Sequence, residues 1–191
     1  ARRSNGLEQF FAHIRGETGL NLLDLSGVSQ ANVGFITELG HRLYSEDLVA
    51  TLDLAFSGGD FYERQLDPEA QQRFLDENFN FPEQSFDGVL LWDVLEFLAP
   101  PLLDRVMERL TAVVKPGAYL FALFHAETQG GAVAVSQYRI GDAGTLLLTD
   151  RGFREPAQLF SNRAVEKLFQ EFESVKFFLS RDSLREVIVR R

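Results

Sequence analysis

The chain has no cysteine. That absence removes disulfides, Cys-ligated zinc, iron–sulfur clusters and thiol nucleophiles together. Cations are the minority charge, with 19 Lys+Arg against 28 Asp+Glu and a formal net charge of −9. Such a balance argues against broad contact with nucleic acid or an anionic membrane surface. No apolar run approaches the ~20 residues that cross a bilayer. Ala1-Arg2-Arg3 has no apolar stretch behind it, unlike a complete signal peptide, and the lack of an initiator Met leads to the expectation that an N-terminal piece precedes this chain. Nothing calls for an oxidising compartment, and a cytoplasmic location is expected. The phosphate-binding pattern G-x-x-x-x-G-K-[ST], the dinucleotide fingerprint G-x-G-x-x-G and the hydrolase elbow G-x-S-x-G are all missing. His125-Ala126-Glu127 copies the H-x-E of zinc deaminases, but that chemistry needs two cysteines downstream. His13, His41 and His125 are far apart in sequence, and no metal site is expected.

What is present fits one globular domain of 191 residues with 45% hydrophobic content. Helix-like and strand-like segments alternate, as in an α/β sheet. Leu7, Phe10, Phe11 and Ile14 are spaced as one face of a helix over 6–15. Leu20–Leu25 reads as a buried strand carrying an acid. Val33, Ile36 and Leu39 mark a helix stopped by Gly40, and Arg42–Ser45 is a second strand followed by Glu46 and Asp47. Leu48 to Phe56 looks helical, and Asp67-Pro68-Glu69 starts another helix. A weak third strand is expected within 74–79. Phe86–Trp92 is a strong strand ending at Asp93. Pro100 and Pro101 open a helix that Lys115-Pro116-Gly117 terminates, and Tyr119–Phe124 is the next strand. A hairpin is expected over 133–149, around Gly141-Asp142-Ala143-Gly144. Ser161 or Asn162 caps a last helix, and Val175–Leu179 with Leu184–Val189 close the chain as antiparallel strands. The expected fold is a Rossmann-like doubly wound sheet, mostly parallel with an antiparallel C-terminal hairpin, in a single domain spanning 1–191.

Three predicted strands end in acids: Asp24, Asp47 and Asp93. In an open α/β sheet, ligands bind beyond those carboxyl ends. Carboxylates gathered there suit hydroxyls or positive charge, such as a ribose or a sulfonium. The plainer reading is that each acid caps a helix or sits in a solvated turn. Trp92 reads equally well as an aromatic wall or as core. Tyr138 and Arg139 read first as surface strand residues and otherwise as substrate contacts.

The residues Leu22-Leu23-Asp24-Leu25-Ser26-Gly27 resemble the first motif of the class I S-adenosylmethionine-dependent methyltransferase family. Asp47 falls where the family has its ribose-binding acid. Phe79–Asp87 is similar to the family's "LPFPDGSFD" stretch, Leu91-Trp92-Asp93-Val94-Leu95 to its post-strand-four motif, and Leu110–Leu120 to its "L-x-x-x-L-K-P-G-G-x-L" bridge. The likeness runs over nearly the whole chain. It implies S-adenosyl-L-methionine as cofactor, S-adenosyl-L-homocysteine as product, and a methyl acceptor that is a small molecule rather than nucleic acid or membrane. The Asn/Asp-Pro-Pro-Tyr motif of nucleic-acid methyltransferases is absent. By the same resemblance, Asp24 with Ser26, Gly27, Val28 and Ser29 would hold the methionine part. Asp47 would accept from the ribose, with Leu48 beside the adenine. Glu77 or Asn78 would meet the adenine amine, with Phe79 on the ring. Trp92 and Asp93 would line the edge nearest the methyl, with Asp93 as base. The sequence departs from the family's D-x-G-x-G-x-G: Ser26, Val28 and Gln30 stand in register with the glycines, and Val28 is expected to crowd the ligand path. Three readings stay open: a methyltransferase for a small-molecule acceptor, a non-catalytic binding or assembly module on the same scaffold, or another α/β enzyme using a nucleotide or sugar ligand.

Overall fold

Local signals fix most of the elements. Ser4 caps the first helix by accepting from the Leu7 N–H, and Ser29, Asp47, Asp60, Asp67 and Ser161 do the same for later ones. A computed structural model describes residues 1–126 and 131–191. Along the chain come β1 (Arg2–Arg3), α1 (Asn5–Ile14), β2 (Asn21–Asp24), α2 (Gln30–Glu38), β3 (Arg42–Ser45), α3 (Leu48–Ala55), α4 (Phe61–Arg64), α5 (Pro68–Asn78) and β4 (Phe86–Trp92). A 3-10 turn (Val94–Phe97) leads to α6 (Pro100–Val113), β5 (Val114–His125), β6 (Val133–Asp142), β7 (Thr145–Arg154), α7 (Asn162–Leu168), β8 (Ser174–Phe178) and β9 (Leu184–Arg190). Glu127 of the H-x-E triplet lies outside the described residues.

Six strands form the main sheet in the order β3-β2-β4-β5-β9-β8. The first four run parallel, while β9 is antiparallel to β5 and β8 to β9. This is the expected doubly wound, mostly parallel architecture. The strand order reverses between β2 and β4, where the chain goes first to β3 and later to β5. The border strands are β3 and β8.

Alternation along the strands feeds two cores. Leu22, Leu90, Phe121, Leu123 and Ile188 face α1 and α2, joining Phe10, Phe11, Ile14 and Ile36. Leu23, Val89, Leu91, Leu120, Ala122 and Val187 face the other side, with residues of α3, α5, α6 and α7. Gly88 lets α1 settle: a Cβ there would stand 2.8 Å from Leu22 Cδ2 and 3.0 Å from Phe10 Cζ.

Two expectations change. Residues 74–79 form no strand; Phe74, Leu75, Asn78 and Phe79 are buried at helical spacing on α5 and its cap. The late hairpin is also longer than 133–149. It runs from Val133 to Arg154, and β7 pairs with β1 as well, giving a separate three-stranded antiparallel sheet in the order β1-β7-β6.

Candidate functional site

Asp24, Asp47 and Asp93 stand at the carboxyl ends of three neighbouring parallel strands, β2, β3 and β4. Asp24 is fully buried. Its Oδ1 accepts from the Ser26 N–H (2.9 Å), the Ser26 hydroxyl (2.7 Å) and Trp92 Nε1 (2.7 Å), and its Oδ2 accepts from Asn32 Nδ2 (2.8 Å). Burial still raises its pKa above the ordinary carboxylate value against the pull of these donors.

Asp47 has another occupation. It caps α3 through the Ala50 N–H (3.0 Å) and faces Arg151 at 3.2 Å. Ser26 and Asp47 also make an isolated antiparallel bridge, and Gly27 takes φ +94° in the turn. A Cβ on Gly27 would lie 2.9 Å from Asp47 Oδ2, so glycine is required here by its close approach to the acid.

Asp93 is 3% exposed and accepts from the Tyr138 hydroxyl at 3.0 Å. Burial pushes its pKa up to about 7, with the Glu96 carboxylate adding to the rise while His125 and Tyr138 oppose it. Behind it, Glu96 accepts from His125 twice, through the backbone N–H and through Nδ1, each at 2.6 Å. Burial works against a charged His125, but the bond and charge of Glu96 outweigh it and raise the pKa. Glu96 is itself raised, chiefly by burial. The result is two buried hydrogen-bonded pairs, Asp93 with Tyr138 and Glu96 with His125, coupled through charge beside the ends of β4 and β5.

Tyr138 was expected first as a surface residue, and it is not one. It is 1% exposed, and its ring stacks on Trp92 with centroids 5.1 Å apart and planes 3° from parallel. Its carbonyl accepts from Asn32 Nδ2 (3.3 Å) and Ser26 Oγ (3.4 Å), and Asn32 Oδ1 accepts from the Ile140 N–H (2.7 Å). Asn32 and Tyr138 are the residues that sequence reasoning missed or misplaced. Trp92 is core and wall at once: it is buried, yet it reaches Asp24.

The remaining expected positions separate. Ser29 caps α2, and Leu48 is fully buried in the core. Val28 is 72% exposed, so it does not crowd the crevice. Glu77 is exposed on α5, Asn78 donates to the Phe74 carbonyl of its own helix, and Phe79 packs in the core near Phe74. Asn78 and Phe79 thus have partners within α5 and the core.

Residues 32–122 match the family model of the methyltransferase domain. Among solved structures, the chain is similar to 1,6-didemethyltoxoflavin-N1-methyltransferase from Burkholderia thailandensis, at 14% identity and TM-score 0.54, over 97% of this chain and 76% of that one. The PH0226 protein from Pyrococcus horikoshii gives 13% identity and TM-score 0.53, over 97% and 88%. The glycopeptide N-methyltransferase MtfA, solved with S-adenosylmethionine, gives 12% and 0.50, over 98% and 94%. Residues 32–122 thus resemble a methyltransferase domain, and the chain shares the fold of these methyltransferase structures. The acids stand in a row along one edge of the sheet. Their chemistry fits a ribose and a sulfonium; in the folded chain Asp24 and Asp93 are bonded to protein groups, and the Trp92–Tyr138 stack lies between them.

Proposed function

We propose that this chain is an S-adenosylmethionine-dependent methyltransferase that acts on a small-molecule acceptor, with the whole of 1–191 serving as one domain. The observation that carries the reading is the row of acids ending β2, β3 and β4, of which Asp47 and Asp93 lie within the residues matched to a methyltransferase domain. The similar Burkholderia enzyme, solved with 1,6-didemethyltoxoflavin and S-adenosylhomocysteine, supports a small acceptor. Within this reading Asp93 is the base. A carboxyl whose pKa sits at about 7 exchanges a proton near neutral pH, where a general base is most effective. His125 and Glu96 set its charge surroundings. Isothermal titration with S-adenosylmethionine and S-adenosylhomocysteine is the test; micromolar binding of either is the expected outcome.

A second reading has its own support. A binding or assembly module on the methyltransferase scaffold would keep the fold and fill the crevice with side chains, as Trp92 and Tyr138 do. No heat at millimolar ligand, from protein shown to be folded, would decide for it.

A further inference from the structure

The β6–β7 hairpin touches the whole row of acids. The Tyr138 hydroxyl is on Asp93, and its ring lies on Trp92, which in turn donates to Asp24. Its carbonyl is held by Ser26 and Asn32, and both of these also donate to Asp24. Arg151, on the other strand of the hairpin, faces Asp47. An aromatic ring on an aromatic wall, a hydroxyl on one carboxylate and a cation on another are the contacts of a ligand, supplied here by the chain itself.

The hairpin stands outside the main sheet. No strand of the main sheet pairs with β6 or β7 among the described residues; their ladder partners are each other and β1. Toward the main body the hairpin is held by the links Asn32 to Ile140, Tyr138 to Asp93, Arg151 to Asp47 and Arg154 to Asp53, by a backbone bond from Ser4 to Gly144, and by the buried side chains of Val133, Val135, Tyr138, Ile140 and Leu146. Withdrawal of the hairpin therefore costs buried apolar contact but breaks no ladder of the six-stranded sheet.

We propose that the β6–β7 hairpin is an intramolecular occupant of the crevice, competing with the nucleoside donor for Asp24, Asp47 and Asp93. Binding then requires the Tyr138 ring to leave Trp92. The inference rests on the methyltransferase reading for the identity of the competitor. Only the fraction of molecules with the hairpin withdrawn binds, so the apparent affinity is reduced by that fraction.

The experiment titrates S-adenosylhomocysteine into the wild-type chain, Tyr138→Ala and Arg151→Ala, after circular dichroism has verified folding. Trp92 is the only tryptophan, so its emission reports the stack directly. Expected are affinities at least about tenfold tighter in Tyr138→Ala and tighter by a smaller factor in Arg151→Ala. In the wild type, ligand shifts Trp92 emission and speeds hydrogen exchange at the Ile140 amide. If Tyr138→Ala does not fold, a gain in Arg151→Ala together with the wild-type signals sustains the proposal. Wild-type binding with Trp92 emission and Ile140 exchange unchanged overturns the competition and leaves the methyltransferase reading standing. No binding by any folded variant overturns both.

Discussion

Asn32 spends both halves of its amide on holding strand to helix. Its Nδ2 donates to Asp24 and to the Tyr138 carbonyl, and its Oδ1 accepts from Ile140. The residue is fully buried, so truncation leaves the Ile140 N–H without its acceptor away from water and takes a donor from both Asp24 and the Tyr138 carbonyl. Asn32→Ala is expected to cost about 1–3 kcal/mol, read as a lower urea midpoint at unchanged slope. Trp92 is also held against its own preference. Its φ of 54° is a region bulky side chains seldom enter, and the bond to Asp24, the Tyr138 stack and an edge contact with Phe121 hold it there. The acids were legible in the sequence because a buried strand followed by Asp is a local pattern. Tyr138 was not. Val133 and Val135 enter one core, while Tyr138 and Ile140, on the opposite face of β6, enter the other. The strand changes its buried face halfway along, and a rule with one inner face sends Tyr138 outward. The family's lost glycines pointed to Val28, but that side chain stands in solvent and the crevice is filled by residues remote in sequence.

Among the elements, α1 shows how far a short amphipathic helix secures a sheet. Its Leu7, Phe10, Phe11 and Ile14 were readable from spacing alone, and all are buried. Phe10 is fully enclosed, with its ring edge-on to Phe11 at 5.4 Å and its tip over Gly88. Phe10→Ala is expected to destabilise by about 3–5 kcal/mol, because the rigid sheet beneath cannot close the cavity. Thermal unfolding checks this. A shift no larger than that of a surface substitution would mean that α1 is not part of the cooperative core. The α5 segment illustrates the opposite case. Phe74, Leu75 and Phe79 in a short window suit a strand as well as a helix, and the Asp67 cap with Pro68 at the helix start decides for the helix.

For the molecule as a whole, the buried titratable groups beside β4 and β5 set a pH dependence. Asp93 keeps its proton in the folded state up to about 7, whereas its ordinary value is 3.8. The folded chain therefore binds more protons than the unfolded chain between these limits, and stability falls as pH rises through that window. Glu96, raised by burial, acts in the same direction. His125, raised above 6.5, contributes stability that is complete below 6.5 and is lost as pH rises through its folded value. All three lower stability on going from mildly acidic to mildly alkaline buffer. Denaturation in urea across pH 4–8 is expected to show this decline, and Asp93→Asn is expected to flatten it below about pH 7. Equal slopes for the two proteins would remove Asp93 from the account.

The borders of the main sheet have a consequence of their own. Every border strand offers unpaired amides and carbonyls to a passing chain, and β3 is such a strand. It is only four residues long, and Arg42 at its start is exposed. At the far border, β8 carries Lys176 at its centre, exposed among partly buried neighbours. Short length at one margin and charge at both make poor templates for strand-by-strand aggregation, and so help keep copies of this chain apart when they are crowded.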